Sequence, residues 1–191
     1  MSSLTAWLLP VAAGICLSAA TGFRAFIPLL AMGIAAHFGV VALDPSHAWL
    51  ASMTALAVLG TAAIAEVVAY YIPVVDHALD VIATPVAMAA GALVMLASLG
   101  ADHGVPGWLL ALIVGGGVSG AVQLTTVKTR LLSTGTTGGL GNPVVATAEL
   151  VGSLALSLVA LLVPVLAVGA VAVVLVAGVM LVRRRRGAAS T

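Results

Sequence analysis

The chain is close to continuous hydrocarbon, and its longest polar, glycine-rich interruption is Ser133-Thr134-Gly135-Thr136-Thr137-Gly138-Gly139-Leu140-Gly141-Asn142-Pro143. A second break of the same character, Ser18-Ala19-Ala20-Thr21-Gly22-Phe23-Arg24-Ala25-Phe26-Ile27-Pro28, comes earlier. Ser18, Thr21 and Pro28 match Ser133, Thr136 and Pro143 at a constant offset of 115 residues (18 to 133, 21 to 136, 28 to 143). Only 7% of the residues are charged and 62% are hydrophobic. Soluble domains carry about 25% charged residues, so this chain cannot clothe itself in a water-facing surface. It reads as an all-α, multi-spanning membrane protein.

With 191 residues there is room for about seven spans of roughly 20 residues each. The expected helices cover residues 4–20, 25–43, 49–71, 84–100, 108–132, 142–163 and 164–182. Asp44-Pro45-Ser46-His47 and residues 101–107 read as turns. Residues 72–85, bracketed by prolines and interrupted by Asp76, His77 and Asp80, read as a short amphipathic segment at the interface. The organisation expected is one integral membrane domain over 1–191. Within it, 1–71 is a first repeat, 72–106 the interfacial segment with a linking helix, 107–182 a second repeat, and 183–191 a basic cytoplasmic tail. The lone cysteine, Cys16, excludes an internal disulfide, and the start lacks the basic residues of a cleaved signal peptide.

Charge placement orients the chain. With Arg183–Arg186 in the cytoplasm and seven spans threaded backwards, all seven Lys and Arg residues fall on one side, as the positive-inside rule requires. The N-terminus is then outside and the C-terminus inside. Trp7, Trp49 and Trp108 fall at outer helix ends, where an aromatic belt belongs. Helices 1–3 and 5–7 share one orientation, so the repeat would be parallel. The arginine run is an orientation signal and a contact for anionic lipid, with no nucleic acid implied.

Ionisable residues inside a membrane are expensive and face a protein-lined or wet cavity. Glu66 lies five residues before Tyr71, about 7–8 Å inside the cytoplasmic end of helix 3. Glu149 lies six residues past Pro143, about 9 Å in from the same side. Arg24, Lys128 and Arg130 lie on that side too, and the acids either floor a polar vestibule or pair with these bases to hold helices together. Ser119, Gln123, Thr126, Arg130 and Ser133 step by 4, 3, 4 and 3, one face of a helix; Asn142, Glu149, Ser153 and Ser157 share another. Thr136, Thr137 and the surrounding glycines read either as an anion cradle at a helix N-terminus or as a plain turn. Asp76 and Asp80, four apart, could share a divalent cation; a solvated interfacial face explains them equally. Gly116 and Gly120 form a small-x-x-x-small packing pair.

The pieces Ser18–Pro28, Glu66 followed by Ile72-Pro73-x-x-Asp76-His77-x-x-Asp80, and Thr136-Thr-Gly-Gly-Leu-Gly-Asn-Pro resemble a family of small bacterial integral-membrane proteins, a domain of unknown function. The likeness covers nearly the whole chain. It implies a multi-pass inner-membrane protein and supplies no activity, substrate or site.

The first functional expectation is a small transporter or channel subunit, with Glu66, Glu149, Arg24, Gln123, Lys128, Arg130, Thr136, Thr137 and Asn142 as candidate ion- or solute-binding residues. The partners expected are the lipid bilayer, a small ion or solute and a second copy in a homodimer, with no cofactor. The alternative is a membrane-embedded lipid or phosphate transferase holding Mg²⁺ on Asp76 and Asp80. A third reading is a non-catalytic scaffold whose acids only bridge helices.

Overall fold

A computed structural model describes residues 3–100 and 104–162, without the side chains of 3–7, 73–78, 80 and 105. The expected helix 164–182, the run Arg183–Arg186, the Trp7 side chain, the turn residues 101–103 and the side chains of Asp76 and Asp80 lie outside the described residues.

Every described element is helical: α1 (Ser3–Phe23), α2 (Phe26–His37), a 3₁₀ segment (Pro45–Ala51), α3 (Met53–Ala69), α4 (Pro73–Leu99), α5 (Gly104–Leu110), a π-helical stretch (Ala111–Gly116), α6 (Gly117–Thr137) and α7 (Asn142–Leu162). The C-terminal half of α1 is the centre of the bundle. Residues 16–22 are buried without a gap, so this stretch of the helix has no outward face, and α4, α6 and α7 pack around α1.

The distribution of polarity is inverted relative to a water-soluble bundle. Val58, Ile64, Val81, Ile113, Leu132, Val144 and Leu158 are exposed, whereas Ser18, Thr21, Arg24, Ser119, Gln123, Thr126, Arg130, Asn142, Glu149, Ser153 and Ser157 are buried. Water would favour the reverse; hydrocarbon around the bundle favours this arrangement. Val81–Leu99, Pro106–Thr137 and Asn142–Leu162 are long and apolar enough to cross a membrane. This is a membrane protein.

Close packing at the centre depends on missing side chains. A Cβ on Gly91 would stand 2.6 Å from the Gly115 carbonyl oxygen, and one on Gly115 2.6 Å from that of Gly91. The two backbones therefore touch where α4 crosses the π-helical stretch, as small residues permit in membranes. The Ser18 hydroxyl donates to the carbonyls of Gly14 (2.7 Å) and Gly91 (2.9 Å), tying α1 to the same crossing. Ser119 shares its one hydroxyl hydrogen between the Gly115 and Gly116 carbonyls, both at 3.0 Å, the back-bond that serines in helices make. Gly116 and Gly120, the pair singled out by spacing, both lie against Met88 of α4.

The element boundaries depart from the sequence expectation in three places. First, α2 is 12 residues long, about 18 Å at the α-helical rise, and not the full span expected over 25–43. Beyond it Asp44 caps the 3₁₀ segment, with Pro45 as its first residue, and that segment meets α3 at 61°. Second, residues 73–85 are not a separate interfacial piece but the start of α4. Its 27 residues measure about 40 Å, more than the roughly 30 Å of hydrocarbon, so the turns before Val81 extend past the apolar span. Pro85 lies inside it, as membrane helices allow when neighbours absorb the lost hydrogen bond.

Third, α6 continues through Thr137, and the glycine-threonine break contracts to residues 138–141. Gly138 (φ +63°) and Gly139 (φ +90°) make the left-handed exit that glycine supplies at a helix end. The residues matched at the offset of 115 occupy unlike surroundings: Ser18 and Thr21 are buried, Ser133 is half-buried and Thr136 is exposed.

Candidate functional site

The site begins where α1 ends. Phe23 is the last residue of α1 and Phe26 the first of α2, and the two residues between leave the new helix with unserved N–H groups. Ala25, the N-cap, has no side chain to serve them. Glu66, in the last turn of α3, does so from across the bundle. Its Oε1 accepts the Ala25 N–H at 2.8 Å and its Oε2 the Phe26 N–H at 3.2 Å. A carboxylate here also meets the positive end of the α2 dipole.

That cap fixes the chain at Arg24, whose side chain is turned into the protein and is 1% exposed. Arg24 Nη2 donates to the Ala146 carbonyl of α7 at 2.9 Å and lies 3.4 Å from Glu149 Oε2. The same Oε2 accepts from Arg130 Nη2 of α6. Arg130 is 2% and Glu149 4% exposed. Tyr70, the residue that closes α3, packs its ring against both cations: the guanidinium carbon of Arg24 is 4.0 Å from the ring centroid and that of Arg130 3.9 Å. Four helices thus deliver two arginines, one glutamate and one aromatic ring to one dry locus. A ring face attracts cations, and Glu149 is shared between the two.

Around this core the helix faces predicted from periodicity turn inward. Ser119, Gln123, Thr126 and Arg130 of α6 are buried, as are Asn142, Glu149, Ser153 and Ser157 of α7. Most of the hydroxyls are used locally: Thr126 donates to the Gln123 carbonyl at 2.9 Å, and Ser157 to the Ser153 carbonyl at 2.7 Å. Ser153 instead donates to the Ala20 carbonyl of α1 at 3.0 Å. Asn142 Nδ2 donates to Thr134 Oγ1 at 3.1 Å, closing the α6–α7 turn. Among the described residues, Gln123 Nε2 and the Nε and Nη1 atoms of Arg24 are buried without a hydrogen-bond partner.

Of the nine candidates named from sequence, Arg24, Glu66, Arg130 and Glu149 come together. Gln123 stands two turns along the same face of α6, and Asn142 braces the turn. Lys128, Thr136 and Thr137 face outward. At the second break, read from sequence as an anion cradle or a plain turn, the threonine hydroxyls and the Gly141 N–H bond within their own chain. Thr136 donates to the Leu132 carbonyl at 2.9 Å, Thr137 to that of Ser133 at 2.7 Å, and the Gly141 N–H donates back to Thr137 Oγ1 at 2.9 Å. Arg24, Arg130 and Glu149 are shielded from solvent among the described residues, and Glu66 is half-buried. Among the described residues no three His, Cys, Asp or Glu side chains gather as a metal-holding set.

Sequence reasoning missed Tyr70. The available signal was its position four residues after Glu66, which places the two on one helix face.

No curated protein and no solved structure matches the chain. The family model for a domain of unknown function (DUF4126) matches residues 11–184, most of the chain, so the protein belongs to the DUF4126 family.

Proposed function

We propose that the protein is a small membrane transporter, in which the Arg24–Glu149–Arg130 cluster is the point where an ion or small solute is bound and released. The observation that carries this reading is the burial of the cluster inside a bundle with an apolar exterior. Taking charges out of water is costly, and the attraction between them repays it only with good geometry; apolar side chains of similar volume hold helices together as well or better. Helix association here already has another source, the backbone contact at Gly91 and Gly115 and the Ser18 bonds. A cluster that assembly does not require is a functional site by default within a membrane.

The surroundings suit a moving part. The α1–α2 break touches the cluster directly, and the turn at 138–141 closes the same end of α6 and α7. Broken helices beside a charged site are the usual construction of secondary transporters. Arg24, Lys128 and Arg130 gather at this end, which supports placing it in the cytoplasm of a bacterial inner membrane, with seven spans and the N-terminus outside.

Reconstitution of the full chain in liposomes tests the reading. Gradients of protons, alkali cations, chloride, phosphate and small carboxylates are imposed in turn. At least one should relax faster than in protein-free vesicles and lose that advantage in Glu149→Gln. Relaxation no faster than in empty vesicles for every solute would leave the cluster as a helix clamp.

A further inference from the structure

The two arginines of the cluster are not equally served. Glu149 Oε2 receives Arg130 Nη2 in its closest contact and stands 3.4 Å from Arg24 Nη2. Glu66, the other nearby carboxylate, accepts two backbone N–H groups of the α2 start. Arg24 is left with one hydrogen-bonded nitrogen, Nη2, bound to the Ala146 carbonyl. Its Nε and Nη1, carrying three of the five N–H bonds of a guanidinium, have no hydrogen-bond partner among the described residues. The Tyr70 ring covers one face of the group and accepts none of these in-plane hydrogens. Such an arrangement costs stability as it stands.

A second unmet donor lies on the polar face of α6. Gln123 is 3% exposed and its Nε2 has no hydrogen-bond partner among the described residues, seven residues and two helical turns before Arg130. Two carbonyls nearby already accept, that of Gln123 from Thr126 and that of Ala146 from Arg24. What the locus offers is unmet N–H donors of a guanidinium and a carboxamide in a dry setting. A group complementary to it carries negative charge and several oxygen lone pairs.

We propose that Arg24, with Gln123 on the buried face of α6, forms a binding site for a compact oxyanion, a carboxylate or phosphate group. The site rests on the transporter reading for its role, and it names the cargo class. An oxyanion at Arg24 fills the unmet donors and takes over the share of Glu149 that Arg24 now has. Glu149 then pairs with Arg130 alone, and the cation that was under-served is neutralised. Planar guanidinium groups match carboxylate and phosphate oxygens in geometry as well as charge.

The experiment measures binding, apart from transport. The full chain in neutral detergent is titrated calorimetrically with inorganic phosphate and with acetate. A parallel arm holds it in neutral-lipid nanodiscs with and without phosphatidylglycerol. Saturable binding is expected in wild type. It should weaken by about tenfold or more in Arg24→Lys, which keeps the charge but lacks Nε and Nη1, and weaken in Gln123→Leu. Lys128→Ala should bind as wild type does. Arg24-dependent binding seen only with phosphatidylglycerol supports the site and makes its oxyanion a lipid headgroup. Equal affinity in wild type and Arg24→Lys, or no binding of any of the three probes, overturns it. Arg24-dependent binding without phosphate or acetate flux in liposomes would keep the site and remove the transporter reading. Flux that is unaltered in Arg24→Lys would do the opposite.

Discussion

Glu66 Oε1 accepts the Ala25 N–H at 2.8 Å, so a side chain of α3 caps a helix whose N-cap residue lies 41 residues earlier in the chain. The break between α1 and α2 is thereby braced by a remote carboxylate, next to Arg24 and its own bonds to α7. Replacing Glu66 with Ala leaves two N–H groups without an acceptor, and each such loss costs about 1–3 kcal/mol. Hydrogen exchange should show the Ala25 and Phe26 amides losing protection while those of the α4 interior keep theirs. Unchanged protection at both amides would mean that the cap does not hold the break.

Glu149 has two cationic neighbours, so its loss should be worse than that of either arginine. Glu149→Gln leaves two buried guanidinium groups without their carboxylate, a change that costs about 3–5 kcal/mol for buried pairs. Combining it with Arg130→Met should cost less than the two single changes together, because each removes the other's partner. Unfolding in mixed-micelle titrations measures all three variants. Simple additivity would show that Arg130 and Glu149 do not interact.

The Gly91–Gly115 contact predicts a sharp contrast among glycines. Gly91→Ala drives a Cβ into the Gly115 carbonyl and should destabilise by about 1–3 kcal/mol, as overpacked sites do. Gly60→Ala and Gly117→Ala meet nothing within 4 Å and, inside helices, should be neutral or slightly stabilising. Thermal denaturation in one detergent ranks the three. A neutral Gly91→Ala would show that the helices do not approach this closely.

Asp44 provides a pH test away from the buried cluster. Its Oδ1 accepts the Ser46 N–H at 2.6 Å and the Ser46 hydroxyl, and these bonds hold its carboxyl below the usual carboxylate range. A carboxylate depressed in the folded state adds stability above its unfolded pKa of about 3.9. That stability is lost as pH falls through the folded value. The melting temperature of wild type should therefore exceed that of Asp44→Asn at neutral pH, and the gap should close below about pH 4. A gap that persists at low pH would point to packing rather than charge.

How much of this was legible in the sequence depends on the range of each interaction. The polar faces of α6 and α7 were readable because polar residues are rare here and recur at helical spacing, which puts Gln123 and Arg130 on one face and Glu149 on another; the structure turns both inward. The extent of α6 was not, because glycines and threonines at 133–137 read as a break. The threonine hydroxyls instead bond back to their own helix and let it continue. The length of α2 was equally hidden. Apolar residues at 38–43 look like span, but the chain leaves the helix at His37 and Asp44 starts a new turn. The partner of Glu66 was beyond reach, since a backbone N–H carries no signature in sequence. Tyr70 went unread although it stands four residues after Glu66.

The central claim is that this dry cluster is a working site, and such a site must open to water. Thr126 lies between Gln123 and Arg130 on the buried face of α6, so Thr126→Cys can report opening in the intact membrane. A membrane-impermeant maleimide is applied to inside-out vesicles, with exposed Thr136→Cys and core Val94→Cys as the limits, and with buried Cys16 as a common background. The account predicts labelling of Thr126→Cys at a rate between the two limits, slowed by phosphate or acetate. Labelling as slow as that of Val94→Cys, with and without anion, would contradict it.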